Sequence, residues 1–185
     1  MKPVNKGDYG YIDYRKKSQL VKSSIGIIIV FGLLLVGFFL FKTKTNYFTV
    51  LAVVGTLPTA KIIVSYAIIC KYKSPDNSQA LEIKNYAKKA YVLYDMVFTS
   101  KDKVMHAEYV IVSGNTVCAY SSEEKLDKTH FEKTLTEFLQ NGGYKCNVKL
   151  LKDYQKFVQR LESMPDAEFT ERQEGIIRSL LSLSV

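Results

Sequence analysis

The sequence lacks acidic residues over a long stretch, since no aspartate or glutamate occurs between residues 14 and 75. The same stretch holds nine basic residues, in a chain of 185 residues with a net charge of +8. The excess positive charge therefore lies in one part of the chain, which favours anionic lipid over nucleic acid as the partner. The residues expected to contact lipid headgroups are Arg15, Lys16, Lys17, Lys22, Lys71 and Lys73.

Side chains that carry out catalysis are also scarce. The three cysteines, Cys70, Cys118 and Cys146, have a spacing that matches no zinc or redox motif. The two histidines, His106 and His130, have no serine, cysteine or aspartate at a motif spacing, and the chain has no glycine-rich phosphate loop. The sequence therefore predicts no catalytic residue, no metal and no cofactor, and it favours a protein that is not an enzyme.

Two long apolar runs occupy residues 24–41 and 48–70. About 20 apolar residues in a helix cross the hydrocarbon core of a bilayer, so each run predicts a transmembrane helix, with a buried core helix as the alternative. The first run is too long for a signal-peptide core, and no small-residue cleavage site follows Phe41. Residues 42–47 suffice only for a tight external turn, so we expect an antiparallel two-helix hairpin that stays attached to the chain.

Basic residues predict the orientation of this hairpin. Six precede the first run and two lie in the turn, and further lysines follow the second run. Because loops rich in lysine and arginine stay on the cytoplasmic side, both termini are expected in the cytoplasm. The predicted location is the inner (cell) membrane.

Lys61 interrupts the second run, three residues after Pro58. Counting back from Cys70 places it about 13 Å along the helix, near the membrane midplane, where a charge costs about 2.5–3.5 kcal/mol. Its ammonium group has four alternatives: to reach the interface or carbonyls freed by Pro58, to lose its proton, to meet an acid on another subunit, or to meet a lipid. Gly55 and Thr59 have the small-xxx-small spacing of helix contacts in lipid, which makes them, with Pro58 and Lys61, candidate residues for assembly in the membrane.

The rest of the chain predicts an α+β domain at residues 79–185, joined by a linker at residues 71–78 and preceded by a basic segment at residues 1–23. Apolar periodicity predicts the order α-β-β-β-α-β-α-α. A polar turn at residues 100–103 separates the first two strands, and Pro165 is expected to end a helix.

Charged residues accompany two of the predicted strands. Glu108 lies on the second strand, and the run Glu123-Glu124-Lys125 follows the third. The order of elements over residues 79–151 resembles the core of restriction-endonuclease-like domains, including nuclease-related modules of bacterial membrane proteins. In that family an acid and an acid-x-Lys triplet hold a divalent metal, which implies a site at Glu108, Glu123 and Lys125. This sequence departs from the family at the triplet. The family would place its acid near Tyr120, whereas Glu123 comes after that position.

These observations predict a small integral membrane protein that holds a non-enzymatic interaction domain at the inner face of the membrane. Its partner would be an unidentified protein or a second copy of the chain. The alternative is a membrane-anchored, nuclease-like domain that acts on or binds nucleic acid.

Overall fold

The computed structural model describes residues 3–42, 46–87, 90–100, 103–164 and 170–185. Two long apolar helices are followed by a small mixed α/β domain with a four-stranded sheet, which confirms the coarse architecture expected from the sequence. The chain divides into a helical unit, residues 13–71, and a globular unit, residues 1–12 together with 72–185. Residues 3–12 of the expected N-terminal segment and residues 72–78 of the expected linker belong to the globular unit.

Parts of three predictions lie outside the described residues. They are the connecting turn, at residues 43–45, the polar turn, at residues 101–102, and the helix stop at Pro165.

The helical unit contains most of helix α1, Tyr11–Phe41, and all of α2, Tyr47–Ile69. Both helices are long and apolar enough to cross a membrane, and only 6% and 11% of their most apolar stretches are buried. A core helix of a soluble domain would instead be mostly buried. Helix α2 runs through its internal Pro58 and is capped at its N-terminus by Asn46, whose side chain accepts a hydrogen bond from the backbone N–H of Thr49.

Polar contacts join the two helices near both of their ends. Asn46 Nδ2 donates to the carbonyl oxygen of Gly37 at 3.0 Å, close to the connection between the helices. Farther along, Gln19 Nε2 donates to Ser65 Oγ at 3.3 Å. Residue numbers rise on one helix as they fall on the other, so the two helices pack antiparallel.

The globular unit has a single described sheet with strand order β1-β2-β3-β4. The first three strands are antiparallel, and β4 runs parallel to β3. Gly114, with φ +56°, makes the tight turn between β2 and β3, the conformation that two-residue hairpin loops require. The strands are β1 Tyr91–Thr99, β2 Val104–Ser113, β3 Thr116–Tyr120 and β4 Asn147–Leu151. The helices are α3 Asn77–Tyr86, α4 Lys128–Asn141, α5 Tyr154–Glu162 and α6 Glu171–Leu183.

Each face of the sheet has its own apolar core. On one face, α4 and α6 contribute residues such as Phe131 and Ile176. On the other face, α3 and α5 contribute residues such as Ile83 and Phe157. All four of these side chains are fully buried, and burial of one such side chain stabilises a fold by about 1.5–3 kcal/mol. The globular unit therefore has an α/β/α layer order in which both sheet faces are covered.

Candidate functional site

A groove of about 510 Å³ opens on the globular unit where the N-terminal segment, α3 and β1 meet. Asp8 and Lys84 supply one charge of each sign to its lining, which also includes the small side chains of Ala80 and Ala90. A concave site of this size with a few polar groups is typical of a binding surface.

Exposed apolar side chains concentrate in this groove. Among the described residues of the globular unit, the exposed large hydrophobic side chains are Tyr9, Leu81 and Tyr91. All three line the groove, and Leu81 is 57% exposed. Because such residues are normally scattered singly over a surface, their convergence marks the groove as the candidate binding surface of the globular unit.

The groove also exposes part of a sheet edge. Strand β1 is one of the two edge strands of the described sheet. Its outer side is covered where Tyr94 N–H donates to the carbonyl oxygen of Gly7 and where Val185 N–H donates to that of Val97. In an antiparallel pair every second residue turns its backbone groups outward, so Val92 faces the same side as Tyr94. Val92 lies opposite Ile111 of β2 on its inner side, but in the described part of the chain no segment pairs with its outer side, so this stretch of edge can accept an added strand.

Asp95 interrupts the regular geometry of β1. Its φ of +56° is left-handed, a region in which aspartate and asparagine occur more often than other residues with a side chain. In a regular strand, residues three apart face opposite sides of the sheet, but Leu93 and Met96 face the same core. The alternation of side chains between the two faces therefore shifts by one residue at Asp95. This kink changes which backbone groups face the outer edge between Tyr94 and Val97, so that the N-terminal segment and the C-terminus both pair with one strand.

The carboxylate of Asp95 is buried at 1% exposure and gathers two other segments. Its Oδ2 accepts a hydrogen bond from Ser74 Oγ at 2.6 Å and lies 3.4 Å from the backbone N–H of Ile12. Ile12 is the second residue of α1, where backbone N–H groups have no partner within the helix. A carboxylate at this end is also favoured by the helix dipole, so Asp95 caps α1 from the sheet.

The N-terminal segment is held by further specific contacts. Lys6 Nζ donates to the carbonyl oxygens of Leu181, at 3.2 Å, and of Ser184, at 2.5 Å. The Tyr9 hydroxyl donates to the carbonyl oxygen of Pro75 at 3.0 Å, and the ring of Tyr9 meets that of Tyr94 edge-on at 6.0 Å. The segment is therefore an integral part of the globular unit.

Tyr72 and His106 form a second buried contact beside Ser74 in sequence. Their rings stack at 4.6 Å, and both side chains are buried, at 6% and 5% exposure. The segment from 72 to 74 thus contacts both β1 and β2, since Ser74 binds Asp95 and Tyr72 lies on His106. These contacts fix the chain where it enters the globular unit, with no reaction chemistry implied.

Burial raises the pKa of several titratable side chains in and beside the sheet. Burial raises the pKa of the Cys118 thiol to about 11 and also raises that of Cys146. Burial raises the pKa of Tyr109 and Tyr154, and the Tyr154 hydroxyl donates to Glu82 Oε2 at 2.9 Å. A thiol must ionise to act as a nucleophile, and the raised pKa values keep the thiols of Cys118 and Cys146 protonated near neutral pH.

Of the residues of the predicted metal site, Glu108 lies within β2, and Glu123 and Lys125 follow β3. Glu108 Oε1 accepts hydrogen bonds from the backbone N–H and the hydroxyl of Ser122. Glu123 N–H donates to Ser121 Oγ, and Lys125 is exposed. Across the described parts of the chain, no group of three or more His, Cys, Asp or Glu side chains is arranged to hold a metal ion.

Small residues form the contact between α1 and α2. A Cβ added at Gly26 would lie 2.7 Å from Thr59 Oγ1, and one added at Gly55 would lie 3.6 Å from Val30. The Thr59 hydroxyl donates to the carbonyl oxygen of Gly55 within its own helix, at 2.9 Å. Gly55 and Thr59, which have the small-xxx-small spacing, thus both lie at the contact between α1 and α2.

Lys61 lies on the outer side of α2. Its side chain is exposed and makes no hydrogen bond or ion pair to any residue that the structure describes. The four alternatives given for its ammonium group from the sequence stay predictions. Of the other basic candidates, Lys16 lies 3.9 Å from Asp13, and the exposed members are Lys17, Lys22, Lys71 and Lys73.

Comparison of the chain with protein families, curated proteins and solved structures returns no match. The function must therefore be inferred from the geometry alone.

The groove and the Asp95 contacts were not anticipated from the sequence. One signal was present, because an aspartate within the apolar strand YVLYDMVFT is unusual for a strand interior. The contributions of Gly7 and Tyr9 carried no comparable signal, since they depend on pairing with β1, more than 80 residues away.

Proposed function

We propose that this chain is an integral membrane protein whose two-helix hairpin holds a non-enzymatic interaction domain at the cytoplasmic face. The observation that carries the proposal is the outward apolar surface of α1 and α2. Phe39 is 74% exposed and Leu57 is 72% exposed, and such a surface is stable only against lipid or another apolar partner.

The inner side of the hairpin supports the same reading. In lipid, close approach of helices depends on small residues, since apolar side chains gain little by leaving hydrocarbon. Gly26, Gly55 and Thr59 provide that approach here. The asymmetry of basic residues between the two ends of the hairpin supports a cytoplasmic position for both termini.

The groove supports binding as the role of the globular unit. It combines three exposed apolar side chains with an unpaired stretch of sheet edge at Val92. A partner that adds an extended segment to β1 would gain main-chain hydrogen bonds and bury Leu81 and Tyr91 together. The nuclease-like alternative has only its resemblance in sequence order, because no described residues form a metal-holding group.

Membrane integration is tested by washing membranes with alkaline carbonate. The wild-type chain should remain with the lipid, whereas a variant with arginine at both Ile29 and Val53 should be released or degraded, because each central charge costs about 2.5–3.5 kcal/mol. Leu81→Arg, in the globular unit, is the control and should stay with the membrane. Release of the wild-type chain would reject the proposal.

Partner binding is tested with a photo-reactive residue at Leu81, in the groove, and with the same residue at Lys133, on the exposed face of α4. The full-length protein in its native membrane should form a discrete adduct from Leu81 only. Its mass distinguishes a second copy from another protein. Equal labelling from both positions, or none from Leu81, would count against the groove.

A further inference from the structure

We propose that Lys61 lies at the cytoplasmic end of the hairpin, near the level of Lys22, where its ammonium group binds the phosphate of an anionic phospholipid. This inference rests on the proposed membrane insertion, and it adds the depth of Lys61 and a ligand class. It replaces the midplane position expected from the sequence.

The register of the two helices sets the depth of each residue. Gly26 packs on Thr59, and Val30 packs on Gly55. In both pairs the residue numbers add to 85, 26 with 59 and 30 with 55. The same register places Lys61 level with residue 24.

Lysines on α1 and directly after it bound the uncharged stretch that the hydrocarbon must cover. Lys22 and Lys42 are twenty residues apart with no charge between them, about 30 Å along a helix, which matches the thickness of the hydrocarbon core. Lys61, level with Ser24, is therefore about 3 Å inside the level of Lys22 and about 12 Å from the midplane. A count along α2 from Cys70 places Lys61 near the midplane only if the last turns of α2 lie within the hydrocarbon. In this register those turns lie beside the basic start of α1 instead.

The direction of the side chain makes this depth important. The Cα–Cβ bond of a helical residue tilts towards the helix N-terminus, which for Lys61 is the tip of the hairpin. To reach the cytoplasmic interface, a lysine at the midplane would have to reverse this direction and extend about 15 Å, half the hydrocarbon thickness. From its level near Lys22, the four-carbon stem of Lys61 has to cover only a small part of that distance.

The ligand follows from the charges that are present and absent. Lys22 and Lys61 are both exposed, and neither has a hydrogen bond or ion pair to a described residue. No acidic residue occurs between residues 14 and 75. A lipid phosphate supplies the missing anion at this level, and each lysine near a charged membrane surface adds to the attraction.

Depth is tested in the full-length protein, which contains no tryptophan, so that an introduced one is the only indole. Ala60→Trp and Val53→Trp are compared in vesicles whose lipids carry bromine either near the headgroup or at the chain end. The register places Val53 at the midplane and residue 60 about 10 Å from it. We expect bromine near the headgroup to quench Ala60→Trp most strongly and bromine at the chain end to quench Val53→Trp.

Lipid binding is tested with Lys61→Gln in phosphatidylcholine vesicles that contain a trace of labelled phosphatidylglycerol or labelled phosphatidylcholine. The preference for phosphatidylglycerol should fall about fivefold, whereas Lys61→Arg should keep it and Lys133→Gln, in the globular unit, should leave it unchanged. Excess inorganic phosphate should lower the preference no more than chloride at the same ionic strength.

The results separate this inference from the proposed function. Reversed quenching of the two tryptophans would place Lys61 near the midplane and overturn the inference, while the membrane hairpin would stand. Unchanged lipid preference in Lys61→Gln, or displacement by inorganic phosphate alone, would reject the lipid ligand. Absence of quenching at both positions would overturn the hairpin and the inference together.

Discussion

The helical and globular units solve the same packing problem with opposite arrangements. In the globular unit, large apolar side chains such as Phe131 and Phe157 are fully buried between the sheet and its helices. In the helical unit, large apolar side chains such as Phe39 face outward, and glycine and threonine occupy the contact between the helices. This difference is the one that the proposed membrane insertion predicts, because water drives apolar groups inward and lipid does not.

The largest expected effect compares the same substitution in the two units. Phe131→Ala should lower the free energy of unfolding of the globular unit by about 3–5 kcal/mol, because it leaves a cavity in the core. Phe39→Ala should leave that free energy almost unchanged. Denaturant unfolding in mild detergent, followed by near-ultraviolet circular dichroism, measures both. Equal losses would mean that the two units do not fold independently.

Asp95→Ala is expected to have the next largest effect. It removes the acceptor for Ser74 and Ile12 and places alanine in a left-handed conformation, so unfolding should become easier by about 1–3 kcal/mol. Asp95→Asn, which tolerates this conformation and keeps an acceptor oxygen, should lose less. The same denaturant experiment provides the values, and an Asn variant as unstable as the Ala variant would contradict the capping role.

A matched pair of glycines sharpens the comparison within the helical unit. Gly26→Leu should separate the two helices and destabilise their packing by about 1–3 kcal/mol, because its side chain meets Thr59. Gly32→Leu should have little effect, since nothing lies within 4 Å of an added Cβ there. Thermal loss of energy transfer between dyes on α1 and α2, in detergent, is the measurement. The same thermal loss of energy transfer in both variants would contradict the contact between α1 and α2 at Gly26.

The smallest effect concerns pH and is confined to the globular unit. Burial raises the pKa of the Cys118 thiol from 9.0 to about 11. Between these values the unfolded chain has lost the proton that the folded chain retains, so stability should decline as pH rises from 9.0 to about 11. Cys118→Ala should show a shallower decline in unfolding measured across this range. An identical pH dependence would exclude Cys118 as a contributor.

Local patterns in the sequence are sufficient for most elements of the fold. The apolar spacing from Lys128 onwards predicts α4, and the structure has α4 at Lys128–Asn141. The Gly114-Asn115 pair predicts the turn between β2 and β3, and Gly114 has the positive φ that such a turn needs. These features depend on neighbouring residues, so the sequence displays them directly.

Other features depend on contacts between distant parts of the chain. The docking of residues 3–12 depends on an edge of β1 and on the end of α6, which no local pattern describes. The binding groove was missed for the same reason, because its walls come from three separate segments. The depth proposed for Lys61 depends on the register between α1 and α2, which no count along one helix contains.

The central claim is that the hairpin crosses a membrane with both termini on the cytoplasmic side. Its most direct test uses a membrane-impermeant maleimide on intact cells, with single cysteines at Tyr47→Cys or Lys133→Cys and the native cysteines replaced. Tyr47 is 85% exposed at the start of α2, near the tip of the hairpin. The account predicts labelling of Tyr47→Cys in intact cells and of Lys133→Cys only after permeabilisation. Labelling of Lys133→Cys in intact cells, or protection of Tyr47→Cys, would contradict it.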